Sequence, residues 1–342
     1  MIIRSKAPLR IGLAGGGTDV SPYSDIYGGI ILNATISKYA YCNIELLPNE
    51  PTITIETKDY NITEIYALQD ELPINGSLDL AKGVYNRIVK MYGKAPCGFK
   101  LSTFVDAPAG SGLGTSSTLV VAIVGAFVEW FKLPLGDYDI AHLAYDIERI
   151  DLKLAGGKQD QYAATFGGVN LMEFYKEDKV IVNPLRIRQE YMYELNNNLL
   201  LYYTATTRES AKIIEKQTAN VKDNNTSSIE AMHHLKEQAQ MMKEAILKGN
   251  IDDIGRILDY GFQHKKAMAN GISNALIDEL YDAAINAGAT GGKISGAGGG
   301  GFMTFYCPNN TKYEVQAALN KFGGNFHDYQ FTQVGLVTWT KK

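Results

Sequence analysis

The apolar positions of the chain change period several times, and each change marks an element. The stretch IILNATISKYAYCNIELL, Ile30 to Leu47, is rich in β-branched and aromatic residues, and TITIET alternates with period two, so the first sixty residues read as strands. Leu78 to Met91 has helical spacing and runs into Gly93 and Pro96, both stop signals. FKLSTFV is a further short strand, leading into the glycine-rich stretch PAGSGLGTSSTLVVA, Pro108 to Ala122. Between Ser116 and Phe131 the apolar residues are too dense for a surface helix, which predicts a helix buried between layers. Asp137 to Asp151 reads as one helix ending near Gly156-Gly157. DQYAATF reads as a short helix closed by Gly167-Gly168, with VNLMEF as the strand after it.

After about residue 190 the pattern turns helical. SIEAMHHLKEQAQMMKEAILKGN carries Ile229, Met232, Leu235, Ala239, Met242 and Ile246 along one side, with Gly249 and Asn250 as its stop. Helices are expected over Ile254 to Met268 and Ala275 to Ala287, followed by a second glycine-rich run, KISGAGGGGFMTFY. The polar stretch Lys222 to Ser228 reads as a surface loop, and there is no internal repeat. The pattern predicts an α+β protein of two domains, residues 1–190 and 191–342, with the boundary near residues 185–195.

Composition narrows the class. Apolar residues make up 45% of the 342, enough for sizeable cores, and a net charge of −4 argues against a nucleic-acid partner. Cys42, Cys97 and Cys307 stand far apart, which fits a reduced compartment better than a disulfide framework or a zinc site. MIIRSKAPLR has charges where a signal peptide needs its apolar core, and the longest apolar run, Leu119 to Val128, stops at Glu129. The expectation is a cytoplasmic protein with no membrane partner. A homodimer is allowed by the sequence and not required by it.

The stretch PAGSGLGTSSTLVVA is a candidate anion cradle. It is not a Walker A loop, because Thr115 follows Gly114 where a Lys is needed, and glycines at 110, 112 and 114 do not make a dinucleotide fingerprint. A glycine turn capping an ordinary core helix is the plain alternative. Unpaired N–H groups at a helix start, glycines that let a ligand approach and five hydroxyls together favour bound phosphate.

APLRIGLAGGGTDV, this loop and KISGAGGGGF occur in the order of the three motifs of the GHMP kinases, and the chain resembles that family over essentially its whole length. Within it, LRIGLAGGGTD, SGLGTSSTLVV and GGKQDQYAATFGG look most like the bacterial D-glycero-D-manno-heptose 7-phosphate kinases. The resemblance implies an N-terminal half like the second domain of ribosomal protein S5 and a ferredoxin-like C-terminal half, with ATP in the cleft between them. It also implies that Pro108, Gly110, Ser111, Gly112, Leu113, Gly114, Thr115, Ser116 and Ser117 hold the nucleotide.

By the same resemblance Asp160, in GGKQDQY, lies beside the acceptor hydroxyl, where a carboxylate accepts the proton or orients the nucleophile. The alternative is a helix cap for DQYAATF. Arg10, in PLRIG, matches the arginine that keeps such an aspartate ionised. Ser116 and Glu148 match the Mg²⁺ ligands, although Glu148 also reads as a surface residue among Asp146, Arg149 and Asp151. Asp19, with Thr18 and Gly17, falls where sugar kinases of the family bind the sugar. Galactokinases carry Glu and His there before Thr-Asp, whereas this chain has Gly16 and Gly17, which makes galactose a poor fit and leaves room for a phosphorylated sugar. Gly296 and Gly298 belong to the third motif, which packs against the nucleotide loop. Lys158, Lys293, Arg186 and Arg208 are the candidate cations for a substrate phosphate, each also readable as an ordinary surface charge.

The expected activity is therefore Mg²⁺- and ATP-dependent phosphorylation of the anomeric hydroxyl of D-glycero-D-manno-heptose 7-phosphate, supplying nucleotide-activated heptose for surface polysaccharide. The alternatives are a kinase for an unphosphorylated sugar such as fucose, mannose or a uronic acid, and a non-catalytic sugar and nucleotide sensor.

Overall fold

The computed structural model describes residues 1–206 and 210–342. The N-terminal half runs β1 (Ile2–Ala14), α1 (Tyr23–Tyr27), β2 (Gly29–Leu47), β3 (Thr52–Thr57), β4 (Ile62–Ala67), α2 (Asp79–Tyr92), β5 (Gly98–Val105), α3 (Thr115–Phe131), α4 (Asp137–Asp146), α5 (Gln159–Phe166), β6 (Val169–Phe174) and β7 (Val180–Pro184). The rest runs α6 (Gln189–Asn198), β8 (Leu199–Tyr203), α7 (Ser210–Lys222), α8 (Thr226–Lys248), α9 (Asp253–Met268), α10 (Ala275–Asn286), β9 (Gly291–Ile294), β10 (Phe302–Tyr306), α11 (Lys312–Leu319), β11 (Asn325–Phe326) and β12 (Val337–Lys341).

The long strand β2 organises the first sheet. One edge pairs with β1; the other pairs with β6 through Gly29–Ala34 and with β5 through Ala40–Leu47. Only β3 and β5 run parallel, so the eight-stranded sheet is mixed. The apolar helix α3 lies between this sheet and its neighbouring helices, with Val120, Val121, Ile123, Val124 and Phe127 fully buried. A second, four-stranded antiparallel sheet is ordered β11-β8-β10-β9 and is packed by α8, α9 and α10. The apolar stripe of α8 was legible in the sequence, and Met242, Ile246, Ile254 and Leu258 meet Leu9, Ile11 and Leu13 of β1 in one shared core. That core fixes the two halves against each other and sets the width of the cleft between them.

Three expectations need correction. The chain does not divide cleanly at residues 185–195, because β12 returns to pair antiparallel with β1 at Ile2–Lys6; residues 337–341 therefore sit with 1–190 rather than with the rest of 191–342. The Asp137–Asp151 helix changes winding, from α4 to a π-helical turn over Ile147–Asp151. The stretch Lys222–Ser228 is mostly helix: α7 extends to Lys222, and the Asn225 side chain caps α8 by accepting the Ser228 N–H at 3.0 Å. Cys42, Cys97 and Cys307 are free, the first and last of them buried.

Candidate active site

A cleft of about 310 Å³ opens where β1, the start of α3, α5 and the β9–β10 turn converge. Its walls include Arg10, Asp19, Gly112, Ser116, Glu148 and Asp160, so residues separated by 150 positions face one space.

The nucleotide loop is held from both sides. The Arg10 N–H donates to Leu113 O at 3.2 Å and the Phe302 N–H to Ser111 O at 2.9 Å, which ties the loop to β1 and to β10. Gly296 stacks on it so closely that a Cβ would lie 2.8 Å from Gly112 Cα. Gly114 precedes α3 in the left-handed region with φ 79, and no side chain caps the helix. The first-turn N–H groups of α3 are consequently open to an anion, and Ser116 is exposed to the cleft.

Across from that helix start, Arg10 and Asp160 form an ion pair. Arg10 Nε donates to Asp160 Oδ1 at 2.7 Å, Nη2 lies 2.6 Å from the same oxygen, and Nη1 donates to Gly112 O. Arg10 comes from β1 and Asp160 from the first turn of α5; Gly114 separates them from α3, and a Cβ there would approach Asp160 Cγ to 3.0 Å. Among the described residues none donates to Asp160 Oδ2.

Asp19 is buried on the cleft wall and caps α5 from outside. Its Oδ2 accepts the N–H groups of Lys158 and Gln159 at 2.8 and 3.0 Å. Burial pushes its carboxyl up, against the lowering effect of the Gln159 N–H. Glu148 is 1% exposed, turned inward by the π-helical turn, and accepts from Gln161 Nε2, which also donates to Ser117 Oγ at 3.1 Å. Burial raises the Glu148 carboxyl, with Arg149 as the largest opposing influence. A buried carboxylate and the Ser116 hydroxyl on one cleft suit a hard cation. Among the described residues no group of three or more acids, histidines or cysteines is placed to hold a metal ion, so an ion here would rest on few protein oxygens, as Mg²⁺ does.

Several other expected residues sit elsewhere. The Thr18 hydroxyl bonds Gly15 O and Ile30 O and does not reach the cleft. Gly17 does line it, and its carbonyl accepts from Gln217 Nε2 at 2.7 Å. The Lys158 side chain turns away, its Nζ 2.8 Å from Asp178 and 3.5 Å from Asp25, so it balances two carboxylates rather than a ligand. Gly298 packs against Ile272, Leu113 points its side chain into the core, Ser111 is fully buried, and Pro108 precedes the loop on the surface. Arg186 is exposed beyond β7, and Arg208 lies outside the described residues. Lys265, Gln217 and Arg149 line the cleft without having been singled out. For Lys265 the signal was present: Ile254, Leu258, Phe262 and Lys265 share one helical stripe, which places a lysine on a buried face.

The chain is similar to several known proteins over most of its length. Residues 79–168 match the GHMP kinases N terminal domain, and residues 242–325 match the GHMP kinases C terminal domain. The chain is 47% identical to the D-glycero-alpha-D-manno-heptose 7-phosphate kinase of Campylobacter jejuni, over 98% of each chain. A crystal structure of a D-glycero-D-manno-heptose 1-phosphate kinase from Bacteroides thetaiotaomicron superposes with a TM-score of 0.85 at 48% identity, covering 99% of each chain. The L-fucokinase/L-fucose-1-P guanylyltransferase of Bacteroides fragilis is 27% identical over 88% of this chain and 34% of its own length. No helix among the described residues is long and apolar enough to cross a membrane. The chain belongs to the GHMP kinase family, a phosphotransferase with an alcohol group as acceptor and the family's ATP as donor.

Proposed function

We propose that the protein transfers the γ-phosphoryl of ATP to the anomeric hydroxyl of D-glycero-D-manno-heptose 7-phosphate, giving the 1,7-bisphosphate for nucleotide-activated heptose and surface polysaccharide. The observation that carries the chemistry is the Arg10–Asp160 pair facing the uncapped start of α3. The choice of sugar rests on the heptose 7-phosphate kinase relative at 47% identity.

Asp160 Oδ1 is committed to Arg10, which leaves Oδ2 for the acceptor. The anomeric hydroxyl gives its proton to Oδ2 as its oxygen bonds to the γ-phosphorus, and the bond to the β–γ bridging oxygen breaks to leave ADP. The transition state is loose, so orientation of the hydroxyl matters more than early deprotonation. Arg10 holds the carboxylate in place and faces the phosphoryl in flight. The open N–H groups at the start of α3 hold the phosphates, and Asp19 orients the sugar hydroxyls. Glu148 and Ser116 would hold Mg²⁺, which supplies charge neutralisation on the phosphates.

The test is ADP release with Mg²⁺-ATP against heptose 7-phosphate, heptose 1-phosphate, fucose, mannose and galactose, with phosphorus NMR of the product. A new anomeric phosphate formed from heptose 7-phosphate alone is the expected result. Turnover of heptose 1-phosphate or of a free sugar instead replaces the substrate assignment. Binding of ATP and sugar without turnover replaces the enzyme with a sensor.

A further inference from the structure

Two lysines that the reaction above does not use are buried beside the cleft. Lys265, in α9, is 5% exposed and lines the cleft, and Lys293, in β9, is 6% exposed. Each Nζ makes one hydrogen bond, to a main-chain carbonyl: Lys265 to Gly296 O at 2.6 Å and Lys293 to Gly12 O at 2.7 Å. Among the described residues no carboxylate lies within ion-pair distance of either ammonium. Asp19 acts on Lys265 only at longer range, and its carboxylate is bound to the start of α5. Burial, then the charge of Arg10, brings Lys265 down to about 8. Burial, then the charges of Lys265 and Arg10, puts Lys293 well below its usual range.

Both ammonium groups converge on Gly16. A Cβ built there would lie 3.5 Å from Lys265 Nζ and 3.9 Å from Lys293 Nζ, and nothing closer would be met. The Gly16 backbone lies outside the left-handed region, so a side chain is sterically allowed at this position. An acid there would pair with both lysines; glycine leaves them without a carboxylate partner. Holding both amines protonated in an interior without a counter-charge is costly, and an anion that arrives with acceptor oxygens for both offsets that cost.

We propose that Lys265 and Lys293, reached over Gly16, form a subsite for a phosphate monoester that the sugar substrate already carries. This rests on the reading of the substrate as a sugar phosphate. The phosphates of the nucleotide already have the open start of α3, whereas Gly16 lies on the segment that carries Gly17 and Asp19 into the cleft. The pair therefore selects a phosphorylated sugar over a free one.

The experiment titrates inorganic phosphate into the full-length protein saturated with Mg²⁺ and a non-hydrolysable ATP analogue, so that the nucleotide's own phosphate sites are filled. Wild type is expected to bind phosphate, and Lys265→Met and Gly16→Glu each to weaken it at least tenfold. Gly16→Ala and Lys265→Arg should keep measurable binding. The KM for heptose 7-phosphate should rise in the first two variants by more than the KM for ATP. Melting curves identify any variant that fails to fold, and Lys265→Met and Gly16→Glu stand in for one another in that event. Unchanged phosphate affinity in the folded variants, or phosphate binding abolished by the nucleotide analogue, overturns the subsite. If wild type binds phosphate through the pair yet turns over only unphosphorylated sugars, the subsite stands and the substrate reading falls.

Discussion

Arg10 Nε and Nη2 close on the same oxygen of Asp160, Oδ1, at 2.7 and 2.6 Å, while the third nitrogen of the guanidinium holds Gly112 O of the nucleotide loop. One side chain thus fixes the distance between a carboxylate and the loop opposite it. A lysine has a single point charge and cannot make that fork.

Asp160→Asn keeps the shape of this arrangement and removes the basic oxygen. Turnover should fall at least about 10²-fold, the scale of a general-base contribution, with the nucleotide still bound. Steady-state kinetics and a nucleotide-binding titration check it. A kcat near that of wild type would overturn the role of Asp160 and leave the fold untouched.

Gly114→Ala tests how tightly the loop and the base are packed. Alanine at φ 79 costs about 1–2 kcal/mol of left-handed strain. Its Cβ would also press on the Asp160 carboxyl at 3.0 Å. The expected outcome is a tenfold or larger drop in kcat beside a small drop in Tm. Equal kcat in the two proteins would mean that Asp160 does not depend on its contact with Gly114.

Glu148→Gln isolates the metal. The amide retains an acceptor for Gln161 and removes a buried charge, so Tm should hold or rise. The Mg²⁺ concentration for half-maximal rate should increase about tenfold or more. An unchanged Mg²⁺ titration would return Glu148 to a structural part.

Lys265 makes stability depend on pH in a known direction. Burial lowers it from 10.5 to about 8, so between those values the unfolded chain binds more protons than the folded one. Stability therefore rises with pH across that window, and the cost of the buried charge is complete below about pH 8. Lys265→Met removes a cost of about 3 kcal/mol at pH 7. In a buffer free of phosphate and sulfate the variant should melt above wild type at pH 7, and the gap should close towards pH 10.5. Arg10, Asp19 and Lys293 surround the group, and a gap independent of pH would show that their fields have cancelled its shift.

The sequence alone determined the parts. Period-two alternation and density of β-branched residues marked β2, β3 and β5, and the apolar stripe of α8 marked its buried face, because local periodicity is imposed by which side meets the core. The glycine loops were legible because only glycine permits such close backbone approach, as at Gly112 against Gly296. Tertiary structure decided directions and partners. Lys158 lies two residues from Asp160, yet its side chain leaves for Asp178, since neighbours in an α5 turn face different ways. Glu148 was also readable as a surface residue, and the structure buries it within a π-helical turn. Lys265, Lys293 and Gly16 come from three distant segments, and a charge without a counter-charge is a property of what surrounds it in space, which no single stretch of chain encodes.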